Sequence, residues 1–215
     1  MSSETVRRIC LCVVLTALCL GGLASGEAQA LPGAPETFAA DIYPLTAEPA
    51  APLTTSGWIP PTTTRVSVAS DGNQGDAESY WTSISADGRY IAFHSFASLV
   101  PDDTNNHWDA FVHDRQTGET TRVSVSSGGQ ANSSSSHPSI SADGRYVAFR
   151  SGASNLVPND TPDHWHIYVH DRQTGQTIRV SVSSDGREGN GDSWGASISA
   201  NGRYVAFYSK ASNLA

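Results

Sequence analysis

Three sets of side chains in this sequence have types and spacings that chemistry uses. The run Asp102-Asp103-Thr104-Asn105-Asn106, with Asp109 beyond it, is rich in oxygen. Hard cations such as calcium bind where several carboxylate and carbonyl oxygens converge. The glycine and the closing glutamate of a helix–loop–helix calcium loop are missing from it. A second run, Asn159-Asp160-Thr161-Pro162-Asp163, is followed by His166 where the first is followed by Asp109. That exchange removes a carboxylate, which Asp163 offsets only in part, so both runs read as solvated turns.

His164, His166 and His170 alternate and would share one face of a strand. Four residues of strand extend roughly 13 Å, too far for His166 and His170 to hold one zinc at about 2 Å each. Gly191-Asp192-Ser193-Trp194-Gly195 fits the G-x-S-x-G nucleophile pattern. That pattern needs a strand–turn–helix setting with an acid and a histidine later in the chain. Here it is expected in a loop between repeats, and no histidine follows it. No residue is therefore assigned a catalytic, cofactor-binding or metal-ligating role, and the chain reads as a non-enzyme.

The elements that hold these residues come from an internal repeat. Ser-Ile-Ser-Ala-Asp-Gly-Arg-Tyr-Ile-Ala-Phe-His-Ser at 83–95 returns at 139–151 and again at 197–209 with small changes. Val-His-Asp-Arg-Gln-Thr-Gly starts at Val112 and Val169, and Arg-Val-Ser-Val starts at Arg65, Arg122 and Arg179, each 57 residues apart. Each block reads as a strand. Residues 145–151 are aromatic and β-branched, and Asp143-Gly144 before them is a hairpin signal that asks for positive φ at both central positions. The third copy has Asn201-Gly202 there, which keeps the turn and discards the charge, so Asp87 and Asp143 shape backbone. Thr174-Gly175 turns the strand at 167–172 into one at 177–183. With the short segment 138–141 first, one repeat supplies four antiparallel strands. Tyr146 and Ala148 should face one neighbour, Val147 and Phe149 the other.

These blocks resemble the blade pattern of TolB-type β-propellers, within a wider group of WD-repeat-like propellers. The resemblance covers roughly residues 63–215 and implies an all-β fold of tandem four-stranded blades. It also implies an exported, non-catalytic platform that binds a protein or a cell-envelope component. Blades are expected at 82–126 and 138–183, with an incomplete third at 196–215, about 2.7 blades in all against the usual four to eight. The ring is therefore expected to be open or truncated, with residues 63–69 as a lone fourth strand and self-association through open blade edges. His113 and His170 match, which suggests a repeated packing role. His107-Trp108 and His164-Trp165 should cover a blade edge or form a recognition surface. Arg65, Arg122 and Arg179 read as cross-strand or snorkelling residues.

The rest of the chain supplies an address. Arg7 and Arg8 open an apolar stretch at 9–23, and Ala28-Gln29-Ala30 has the form of a signal-peptidase site, so residues 1–30 read as an export signal. All three cysteines (Cys10, Cys12 and Cys19) lie inside it, which leaves the mature chain without a disulfide or thiolate and without a membrane span. Residues 31–62 hold seven of the eleven prolines and read as a linker, with Trp58 docking on the folded part. The net charge of −8 argues against nucleic acid as a partner. Asn132-Ser133-Ser134 and Asn159-Asp160-Thr161 are glycosylation sequons where the host uses them. Two further readings are an accessory propeller of a larger extracellular hydrolase and a calcium-dependent carbohydrate-binding propeller.

Overall fold

The structure, a computed structural model, describes residues 63–214. The expected export signal at 1–30, the linker at 31–62 and the docking of Trp58 fall outside them. Among the described residues every regular element is a strand, and no helix long and apolar enough to cross a membrane is present.

Two four-stranded antiparallel sheets follow one another. The first is β1 (Ser79–Ile84), β2 (Tyr90–Ser95), β3 (Asp109–Asp114) and β4 (Thr120–Arg122), paired in that order. A short ribbon of β5 (Val125–Ser126) and β6 (Gly129–Gln130) leads to the second sheet. This comprises β7 (Ser135–Ile140), β8 (Tyr146–Ser151), β9 (His166–Asp171) and β10 (Gln176–Arg179), again in sequence order. A third sheet holds two strands, β11 (Ser193–Ile198) and β12 (Val205–Ser209). The architecture is an open row of propeller-type blades and does not close into a ring among the described residues.

Blades stack through their faces, and alternation along the strand decides which face meets which neighbour. Val147 and Phe149 join Ala92, Val112 and Ile140 in the core between the first and second blades. Ala148 and Tyr146 turn the other way and pack with Ile198 of the third. Residues 63–69 form no strand beyond one bridge, Val68 to Gln74, yet Val66 is buried against Phe93 and Phe111 on the outer face of the first blade. That is where a preceding blade's fourth strand would end, since Val123 takes the same place over the second blade.

Three local expectations change. Each first strand begins earlier than its apolar pattern, at Ser79, Ser135 and Ser193. A bulge between Tyr80 and Ser83, Ser136 and Ser139, and Trp194 and Ser197 breaks the alternation there. The Asp-Gly hairpin is a wider turn, in which Ser85 O accepts from Gly88 N at 2.9 Å and only the glycine takes positive φ. Finally, Arg-Val-Ser-Val is only partly strand. Val123 and Val180 still bond the third strand, but the chain then leaves for the next blade.

Candidate recognition surface

The repeated residues build a frame at both ends of each blade. At the hairpin end, Asp143 Oδ1 accepts from Ser141 Oγ at 2.5 Å and Arg145 N at 3.0 Å. Asn201 Oδ1 does the same work for Ser199 and Arg203, which explains why the charge is dispensable. Arg89 and Arg145 grip Asp114 and Asp171 through two N–H donors each. These fork-to-carboxylate bonds hold both aspartates well below the usual carboxylate range. The pair joins the arginine just before the second strand to the aspartate that ends the third. Their co-occurrence in both complete repeats was the signal available in the sequence.

At the opposite end lie the residues with chemical promise. Arg122 is buried and binds Asp102 at 2.7 Å, with Asp103 at 3.5 Å, rather than pairing across strands or snorkelling. Asp109 accepts from Ser124 Oγ and Asn105 Nδ2. Burial raises Asp109 and pushes Asp103 up to about 6. In the second blade Arg179 binds Asp160 at 2.6 Å and Glu188 at 3.2 Å. Asp160 also accepts from Tyr168 Oη and from the amides of Leu156 and Val157. Arg65 meets the neutral Gln74. Apart from the exposed Asp163, the oxygen-rich loops thus spend their carboxylates on the chain's own donors. No group of three or more His, Cys, Asp or Glu stands ready for a metal ion among the described residues.

The histidines are dispersed. His166 is buried with its Nε2 2.6 Å from Glu188 Oε1. His113 and His170 share one role: each Nδ1 lies 2.9 Å from a threonine hydroxyl, Thr120 or Thr177. Those hydroxyls donate to Val68 O and Val125 O, so the imidazoles donate from Nδ1. Burial lowers both, His170 to about 4. Ser193 is the first residue of β11 rather than part of a loop, and its hydroxyl bonds Ser209 Oγ at 3.0 Å. The same pairing recurs as Ser79 with Ser95 and Ser135 with Ser151, which makes it a repeated strut. Of the two sequons, Asn132 donates its amide to Ser154 Oγ, and Asn159 holds a positive φ of 60°.

What the sequence reading did not gather is an aromatic and cationic surface where the first strands begin. Each bulge puts one residue in the left-handed region: Trp81 at φ 53°, His137 at 54° and Gly195 at 63°. Glycine accepts that conformation freely, whereas tryptophan and histidine carry strain there. Trp81 lies over His137 with ring centroids 4.4 Å apart, which bridges two blades. His137 stacks on His94 at 5.6 Å, and His94 meets Trp108 at 5.2 Å. Tyr80 and Phe96 flank Trp108 at 5.6 and 5.5 Å. Burial and the neighbouring His137 pull His94 down to about 4, so it is neutral near pH 7.

The surface continues across the second junction in a different chemistry. The Arg150 guanidinium lies 3.9 Å from the Trp165 ring centroid and 5.5 Å from that of Trp194. Trp194 stacks on Tyr208 at 5.6 Å and has Lys210 Nζ at 5.1 Å. His94, Arg150 and Tyr208 are one position of the repeat, the residue after the invariant Ala-Phe. Tyr80, Ser136 and Trp194 are another, as are Phe96, Gly152 and Lys210. Positions that build the sheet stay the same between copies, and those that differ most collect here. The His107-Trp108 and His164-Trp165 pairs therefore contribute Trp108 and Trp165 to this surface.

No protein-family model matches this sequence, and no curated protein does. Among solved structures, a protein assigned as TolB from Agrobacterium tumefaciens is similar at 20% identity and a TM-score of 0.42. TolB from Acinetobacter baumannii is similar at 21% and 0.41, and the tricorn protease at 15% and 0.38. The matches cover 63%, 69% and 64% of this chain, which spans only 40%, 29% and 11% of those chains. At this level the likeness concerns fold alone. The fold itself is an open row of propeller-type blades, two of them four-stranded and the third with two strands.

Proposed function

We propose that this chain is an exported, non-catalytic binding platform for a protein or cell-envelope component, of the kind TolB-type propellers provide. In this reading residues 1–30 direct export to the periplasm or beyond, and residues 31–62 tether the propeller of residues 63–215. The observation that carries the proposal is the gathering of varied aromatic and cationic side chains at one end of an otherwise uniform repeat. Trp81 and His137 are held there in a conformation that costs of order 1–3 kcal/mol each. Stacking faces and desolvated cations are the groups that dominate protein recognition.

The test is site-specific photocrosslinking in the producing cell. A benzoylphenylalanine replacing the exposed Phe96 should yield a discrete adduct that is absent when the probe replaces Ile178, exposed on the distant outer strand. Trp81→Gly should abolish that adduct while relieving backbone strain, so that the variant melts no lower than the parent by more than a few degrees. An adduct pattern identical at both probe positions, or unaltered by Trp81→Gly, refutes the reading.

A further inference from the structure

The two faces that end the row of blades are the two halves of one repeated junction, and we propose that a second copy of this chain docks head to tail across them. Each existing junction is made by the same four contacts. Ile140 N donates to Ser83 Oγ at 3.1 Å, and Ile198 N donates to Ser139 Oγ at 3.1 Å. Ala86 N donates to Ala142 O and Ala142 N to Ala200 O, both at 2.9 Å. The Tyr90 ring occupies the space beside Gly144, where an added Cβ would come within 2.1 Å of it, and Tyr146 does the same at Gly202. Lastly, Ile140 and Ile198 are buried against the preceding blade.

At the ends of the row each contact is half made. The third blade offers Ser197 Oγ, Ala200 N and the Tyr204 ring, which is 67% exposed. The first blade offers Ile84, which is 47% exposed where its counterparts are buried, and Gly88, beside which no ring of the described residues lies. Arg115 is also in place. Its counterpart Arg172 bonds Gly144 O and covers the Tyr90 ring at 4.5 Å, while Arg115 bonds Gly88 O and covers no ring among the described residues. The groups asked of the third blade, Ser197, Ala200 and Tyr204, lie on or between its first two strands, which the third sheet has. A contact between unlike faces repeats until it closes or forms a filament.

The experiment is sedimentation velocity on the purified chain across a concentration series, with two blocking variants. The parent should form species of two or more copies. Ile84→Arg disables one face and Tyr204→Arg the other, so each alone should remain monomeric. Mixed together they should give a one-to-one dimer, because each still carries the face the other lacks. Ala206→Arg, exposed on the same face as Tyr204, serves as a second block should Tyr204→Arg unfold by circular dichroism. A monomeric parent, or variants whose mixture stays monomeric while the parent assembles, overturns the proposal. The photocrosslinking adduct at position 96 is read separately, and its loss would leave this inference standing.

Discussion

Acid should unfold this protein through its histidines before its carboxylates, and the size of the effect follows from their burial. His94 and His170 are both buried and titrate at about 4 rather than the ordinary 6.5. Between those values the unfolded chain binds more protons, so stability is full above pH 6.5 and is lost as pH falls toward 4. Integrated from pH 7 to pH 4.5, the two together cost about 5 kcal/mol. Asp103, pushed up to about 6, runs the other way and gains about 2 kcal/mol over the same interval, because its folded form takes the proton more readily. The net loss is about 3 kcal/mol, to which the lowered His113, His137 and His166 add in the same direction and from which the raised Asp109 subtracts. Asp114 and Asp171, depressed by their arginines, begin to cost stability as pH falls into the ordinary carboxylate range near 3.8 and go on costing it below. Urea unfolding followed by tryptophan fluorescence at pH 7, 5.5 and 4.5 measures this. His170→Asn keeps a donor to Thr177 but removes the titration, so it should cut the pH 7 to 4.5 difference by about 2 kcal/mol. An unchanged difference in that variant, or equal stability at pH 7 and 4.5, would refute the reasoning.

Two pairs of variants test the frame. Gly144→Ala combines a positive φ of 73° with a clash against the Tyr90 ring and should cost about 3 kcal/mol. Gly118→Ala, with φ 78° and open space around it, should cost only the strain, about 1 kcal/mol, in the same urea titration. Asp143→Asn keeps the acceptor that Asn201 uses and should change stability by less than about 0.5 kcal/mol. Asp143→Ala removes two bonds and should cost about 1 kcal/mol by thermal melting.

Much of the frame was legible because repetition makes local signals redundant. Three copies of one strand-and-turn block identified the blades, and the alternation of Tyr146, Val147, Ala148 and Phe149 assigned their faces. What escaped was whatever depends on distance in space. The bulges at Trp81, His137 and Gly195 share a backbone conformation but no residue type, so no pattern announced them and the first strands looked shorter than they are. Arg122 and Arg179 sit 20 and 19 residues from the loop carboxylates they bind, Asp102 and Asp160. Period-2 reasoning places such a side chain on a face without saying what it reaches. Ser193 misleads for the opposite reason: its G-x-S-x-G context is conspicuous in one copy, while its strut role shows only against Ser79 and Ser135.

The contrast between Gly195 and its two counterparts carries the functional reading further than exposure alone does. All three residues sit at one bulge of one repeated strand, so the backbone there is demanded by the blade and not by the side chain. Gly195 meets the demand without strain, and the Tyr208 ring fills the space its Cβ would need. Glycine at 81 and 137 would relieve the backbone just as well. Instead those positions carry two ring-bearing residues that hold each other across a blade junction and are backed by His94 and Trp108. The proposed docking would give that strain a use beyond the blade junction that the two rings already bridge. Since the strained rings lie at the end where the copies differ most, their use is best sought in what docks there.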